Sequence, residues 1–137
     1  MVHVLIVDDD EDDRDLLTIA IHELDPNVNC ILARNGEEAL QGLRQQKSIK
    51  PDLIFLDLNM PRINGAQFLR AIKTDPALRE IPAVIYTTSK HLQDLEESRQ
   101  LGAVHFLTKP SSFKELCNMI ADVFAKEMIH LNSNRIV

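Results

Sequence analysis

Five short apolar runs, each followed by a helical pattern, constrain this chain more than any other feature. They are Val4 to Val7, Cys30 to Ala33, Leu53 to Leu58, Ala83 to Tyr86 and Val104 to Leu107, each bounded by turn or charged residues. An unbroken apolar run marks a strand covered on both faces, the usual state of strands in a parallel sheet. Between the runs, apolar residues recur at helical spacing: Leu16, Leu17, Ala20, Ile21 and Leu24; Ala39, Leu40 and Leu43; Phe68, Leu69 and Ile72; and a weaker Leu92, Leu95, Leu101 set. The fullest stripe follows the last run, with Phe113, Leu116, Cys117, Ile120, Val123 and Phe124. Asn35, Asn64 and Ser112 each stand three residues before Glu or Gln, the pattern of a helix start.

Parallel neighbours need right-handed crossovers, so five strand and helix pairs predict an α/β fold, a doubly wound five-stranded parallel sheet with helices on both faces. The expected strand order is 2-1-3-4-5. A length of 137 residues fits one domain, expected over 1–129, with a polar tail at 130–137.

In such a sheet the ligand crevice lies beyond the carboxyl ends of the strands, near the point where strand order reverses. The residues there are Asp8, Asp9 and Asp10, then Asp57, then Thr87 and Thr88, then Lys109 and Pro110. Carboxylates, hydroxyls and one ammonium converge. Like charges in one pocket raise each other's pKa unless a cation shares the site, and Mg²⁺ suits an acidic cup on loops because it takes carboxylate, carbonyl and water oxygens. The backbone carbonyl of Asn59 can complete that set. A carboxylate can attack phosphorus if metal and positioned donors neutralise the equatorial oxygens. Asp57 is the best-placed nucleophile, Lys109 supplies a point charge and the Thr87 hydroxyl a further donor.

Charge narrows the guests. The chain carries 21 acids against 15 bases, for a net charge of −6, and seven of the acids fall between Asp8 and Asp15 with only Arg14 among them. That balance predicts no nucleic-acid partner and no anionic membrane surface. Glu11, Asp12, Asp13 and Asp15 fit a bland role as acids at a helix N-terminus. The cysteines Cys30 and Cys117 lack metal or redox spacing and read as buried apolar side chains, while the five histidines show no metal spacing. No basic leader or membrane-length apolar run is visible, so the expected compartment is the cytoplasm.

Val7-Asp8-Asp9, Asp57-Leu58-Asn59-Met60-Pro61 with Gly65, Thr87 and Lys109-Pro110 together resemble the receiver domain of two-component response regulators, over roughly residues 2 to 126. The resemblance implies a flavodoxin-like (βα)5 fold and Asp57 as the phosphorylation site. It further implies Mg²⁺ held by Asp8, Asp9, Asp57 and the Asn59 carbonyl, and Thr87 and Lys109 completing the phosphoryl site. It implies a cis Lys109-Pro110 bond, and a switch in which Thr87 couples to an inward-turning aromatic at Phe106. Many members carry tyrosine there, so Phe106 keeps the packing change without the phenolic hydrogen bond. The side chains of Asn59 and Ser89 fall where members tune the lifetime of the phosphoryl group.

The implied function is a single-domain response regulator that receives its phosphoryl group from a sensor histidine kinase or phosphotransfer protein and signals by altered protein contacts. The contact face would be the fourth helix, fifth strand and fifth helix, with a homodimer through that face among the expectations. Similarity to short receivers partnered with hybrid or phytochrome-like kinases is a further implication. Two other readings are a pseudo-receiver that binds without phosphorylation, and an aspartyl-nucleophile phosphatase. The phosphatase needs a second acid two residues after its nucleophile, where this chain has Asn59.

Overall fold

A computed structural model describes residues 1–45, 49–61, 63–88 and 91–130. Ser89 and the tail from 131 lie outside them. The elements alternate throughout: β1 (His3–Val7), α1 (Glu11–Leu24), β2 (Asn29–Ala33), α2 (Gly36–Leu43), β3 (Leu53–Leu56), α3 (Gly65–Lys73), β4 (Ala83–Thr87), α4 (Leu92–Gln100), β5 (His105–Thr108) and α5 (Phe113–Lys126). All five strands pair in parallel in the order β2-β1-β3-β4-β5. The crossover logic of the sequence therefore holds.

Strand ends differ from the sequence expectation by one or two residues. β3 stops at Leu56 because the next carboxylate, Asp57, folds back to accept the Asn59 N–H at 3.2 Å. β4 runs on to Thr87, whose backbone remains paired opposite Thr108.

Alternate side chains of the central strands feed two cores, as the period of a pleated strand requires. On one face Val4, Ile6, Leu53, Phe55, Val84 and Tyr86 pack under α1 and α5. On the other Leu5, Val7, Ile54, Leu56, Ala83 and Ile85 pack under α2 and α3. Burial is complete along β1 after His3, β3 and β4, and partial along the edge strands β2 and β5. Cys117 sits within the first core and Cys30 is half-buried on edge strand β2, so the fully buried expectation holds for Cys117 alone. Leu16 and Phe113 likewise belong to the helical stripes in sequence yet stand exposed at the margins of α1 and α5.

The predicted helix starts all carry a cap. Asn35 accepts from Glu38 N–H, Ser112 from Glu115 N–H, and Asn64 with Gln67 forms a reciprocal capping box. Asp10 caps α1 by accepting from the N–H groups of Asp12 and Asp13. Gly65 opens α3 so close to β3 that a Cβ there would stand 2.5 Å from the Asp57 carbonyl oxygen and 2.7 Å from Leu58 Cα. Only glycine lets the α3 N-terminus approach the loop that carries Asp57.

Candidate phosphoryl and cation site

Sheet pairing carries past the ends of the strands and aims the functional loops. Asp8 N–H donates to Ala33 O at 3.1 Å, Asp57 N–H to Val7 O at 3.0 Å, and Lys109 N–H to Thr87 O at 3.1 Å. The three side chains thus start from backbone held in register with neighbouring strands. Arg14, buried on α1, donates from Nη1 to the Asp8 carbonyl oxygen at 2.8 Å and fixes the β1–α1 turn from below.

Asp8, Asp9 and Asp57 place one carboxylate oxygen each within 4.8 Å of the others; Asp8 and Asp57 are buried and Asp9 exposed. Asp8 Oδ1 accepts from Asp10 N–H at 3.0 Å and Asp8 Oδ2 from Lys109 Nζ at 2.8 Å. Asp57 Oδ1 accepts from Thr87 Oγ1 at 2.7 Å, and Asp57 Oδ2 lies 3.5 Å from Lys109 Nζ. The side chains of Asp8, Asp57 and Lys109 are 4%, 7% and 10% exposed, so these charges act with little solvent screening. An all-oxygen, carboxylate-rich set open to solvent at Asp9 fits a hard divalent cation such as Mg²⁺, which keeps part of its water shell.

Burial pushes the Asp8 pKa up, opposed by the hydrogen bonds from Lys109 and Asp10, and the charge of Asp57 pushes it further up. Burial alone would lower the Lys109 pKa, but hydrogen bonds to Asp13 and Asp8 and the charges of Asp57 and Asp8 outweigh it and hold the ammonium protonated. Beneath Lys109 the Tyr86 ring centroid lies 5.5 Å from Nζ, and burial moves the phenol up to about 12.

The structure brings together Asp8, Asp9, Asp57, Thr87 and Lys109. Asn59 enters through its N–H on Asp57 Oδ1, with its side chain exposed beside a cavity of about 260 Å³ that Leu58, Met60, Asn64, Asp94 and Glu97 also line. Thr88 is exposed and Phe106 is half-buried on β5, its ring 5.7 Å from the Arg99 guanidinium carbon. A larger apolar cleft of about 410 Å³ between β2 and α2 shares no residue with the acids.

Two expectations need correction. The Lys109-Pro110 bond is trans, the default even before proline, and the trans chain already delivers Nζ to Asp8. Asp13 is more than an acid at a helix start: its Oδ2 lies 2.8 Å from Lys109 Nζ. Glu11 and Asp12 do remain first-turn acids, whereas Asp15 stands beyond that turn. Asp13 and Arg14 are the site residues that sequence reasoning missed. The usable signal was a lone base among seven acids, one helical turn into α1. Three of the five histidines take structural partners: His22 Nε2 meets Val28 O, His3 Nδ1 meets Asn29, and His105 pairs with Glu127.

Comparison with known proteins agrees with this fold. Residues 4–121 match the family model described as the response regulator receiver domain. Response regulator Rcp1 of Synechocystis sp. is 34% identical over 124 residues, covering 88% of this chain and 84% of that protein. The crystal structure of the Mn(2+)-bound form of response regulator Rcp1 superposes with a TM-score of 0.82 at 30% identity, covering 98% of this chain and 100% of the other. The phosphorylated cyanobacterial phytochrome response regulator RcpA gives a TM-score of 0.85 at 30% identity, covering 96% of this chain and 99% of the other.

Proposed function

The chain belongs to the response regulator receiver domain family of two-component signalling, and from that premise we propose that Asp57 accepts a phosphoryl group in a Mg²⁺-dependent reaction. One observation carries the reading: the buried Asp57 carboxylate is held by Thr87 and Asn59, faces Lys109, and shares a 4.8 Å cluster with Asp8 and Asp9. Those three acids and the Asn59 carbonyl would hold the cation, which supplies charge neutralisation for the transferring phosphoryl oxygens.

The chain's own groups divide the remaining work. Thr87 and the Asn59 N–H fix the Asp57 carboxylate by holding Oδ1. A bond forms between an Asp57 oxygen and phosphorus as the bond from phosphorus to its donor breaks; the donor is a phosphohistidine of a sensor histidine kinase or phosphotransfer protein. Lys109 donates a charge-assisted hydrogen bond to one phosphoryl oxygen and the Thr87 hydroxyl moves from Asp57 to donate to another. That transfer of the Thr87 hydroxyl links the pocket to β4, and Phe106 on neighbouring β5 is the packing partner that follows it. Arg99 over the Phe106 ring offers a contact that such a movement would break.

The domain occupies residues 1–129, catalyses only its own phosphoryl transfer and loss, and passes the signal by protein contact in the cytoplasm. Ile129 packs on the α1 and α5 core, consistent with that boundary, and no helix among the described residues is long and apolar enough to cross a membrane. The contact face combines α4, β5 and α5, where Leu92, Val104 and Phe113 are exposed and where a second copy can dock.

The test is incubation of wild type and Asp57→Asn with a small acyl phosphate, with and without Mg²⁺, followed by intact mass. Wild type is expected to gain one phosphoryl mass only with Mg²⁺, and Asp57→Asn none. Wild type that stays unmodified under all conditions refutes the reading.

A further inference from the structure

The Lys109 ammonium is held equally by two carboxylates and stands farther from the third, which it is to serve. Nζ lies 2.8 Å from Asp8 Oδ2 and 2.8 Å from Asp13 Oδ2, against 3.5 Å from Asp57 Oδ2. Asp8 also belongs to the acid trio suited to a cation. An oxygen that turns to a divalent cation is withdrawn from the ammonium, because both positive groups compete for the same small carboxylate. Asp13 is free of that conflict. It lies outside the trio, on the first turn of α1, and its side chain is a third exposed where that of Lys109 is largely buried.

We propose that Asp13 is a positioning residue, the second seat of Lys109, which keeps the ammonium beside Asp57 when a divalent cation draws Asp8 away. The inference rests on the cation and phosphoryl reading of the pocket given above. An ammonium has three donors and no acceptor, so one N–H donated to Asp13 leaves two for a phosphoryl oxygen and the pocket rim. The Tyr86 ring under Nζ keeps the amine from sinking further. Cation binding and lysine seating are thereby linked. Losing the Asp8 bond costs less when a second carboxylate retains the lysine, so Asp13 strengthens cation binding, and by reciprocity the cation strengthens the bond of Lys109 to Asp13.

The chain offers its own probe, since Tyr86 is its one tyrosine and it has no tryptophan. Tyrosine emission is followed while Mg²⁺ is titrated into the full chain as wild type, Asp13→Asn, Asp13→Glu, Lys109→Met and the Asp13→Asn/Lys109→Met double variant. Asp13→Asn is expected to weaken Mg²⁺ about threefold to tenfold, the size of coupling usual between contacting charges. The same change in the Lys109→Met background is expected to stay under about twofold, and Asp13→Glu to restore wild-type affinity within about twofold. Equal weakening in both backgrounds would show a through-space charge effect and overturn the proposal, as would unchanged affinity in Asp13→Asn.

If Lys109→Met does not fold, ¹⁵N–¹H spectra of the lysine ammonium groups decide the matter. At saturating Mg²⁺ the exchange-protected Lys109 signal is expected in wild type and absent in Asp13→Asn; equal signals in both overturn the proposal. A wild type without any saturable Mg²⁺ response contradicts the pocket reading itself, an outcome separate from the behaviour of Asp13.

Discussion

At the acid pocket, Asp8, Asp57 and Thr87 are buried side chains tied by short hydrogen bonds, whereas two strands away α4 buries only Ser98 and leaves Leu92 81% exposed. The pocket loops continue the ladders of central strands, and glycine at position 65 lets α3 close on them. α4 has no side-chain hydrogen bond at its N-cap, and β5 beside it is half-buried from His105 to Leu107 and exposed at Thr108. On the function proposed above, the contrast separates chemistry from readout. Reacting groups need fixed positions, and a segment that reports on them needs an alternative packing at small cost. Thr87 joins the two, since its hydroxyl is on Asp57 and its backbone pairs with β5.

That contrast breaks if substitutions on the two sides cost alike. Gly65→Ala has the largest expected effect. Its methyl would meet backbone atoms at Asp57 and Leu58 that cannot swing aside, so denaturant melts should show a loss of about 2–3 kcal/mol, as overpacked sites do. A loss below about 0.5 kcal/mol would mean the pocket loop is as yielding as an ordinary surface site.

Tyr86 tests the floor of the pocket through pH. Its phenol is moved from 10.0 to about 12, chiefly by burial. A folded-state value above the unfolded one means that the stabilisation is complete below the unfolded pKa and is lost as pH rises through the folded one. Stability is therefore expected to fall between pH 10.0 and about 12, by on the order of 2 kcal/mol, and Tyr86→Phe to remove that component. Absorbance of tyrosinate in the native chain with a midpoint near 10.0 would contradict the dry floor.

The α4 side should respond weakly. His91→Asp supplies the side-chain acceptor that the helix start lacks and should raise stability by about 0.5–1 kcal/mol in thermal melts. Leu92→Ala, the smallest change expected, should alter it by less than about 0.5 kcal/mol. If Leu92→Ala matched Gly65→Ala, the helix would be packed as firmly as the pocket and could not serve as the yielding element.

The sequence carried the sheet and most of the pocket because both depend on local pattern. Runs such as Leu53 to Leu56 are apolar at every position, and a strand end puts Asp57 at the crevice wherever the rest of the chain lies. Asp13 and Arg14 were harder to read for a physical reason. Asp13 meets Lys109 across 96 residues of chain, and in one dimension it looks like any acid favoured by the helix dipole. Arg14 acts on a backbone carbonyl, which no side-chain motif announces. The cis expectation at Lys109-Pro110 failed for the opposite reason. It came from resemblance, while the backbone itself reaches the pocket in the ordinary trans form.

The central claim is that the phosphoryl group resides on Asp57, and the most direct measurement locates it. Wild type phosphorylated by acyl phosphate and Mg²⁺ is reduced with borohydride, which converts an aspartyl phosphate to homoserine, then digested and sequenced by fragment-ion mass spectrometry. Homoserine is predicted at position 57 and nowhere else. Homoserine at Asp8, Asp9 or Asp13, or a phosphorylated chain with aspartate intact at 57, would contradict the account.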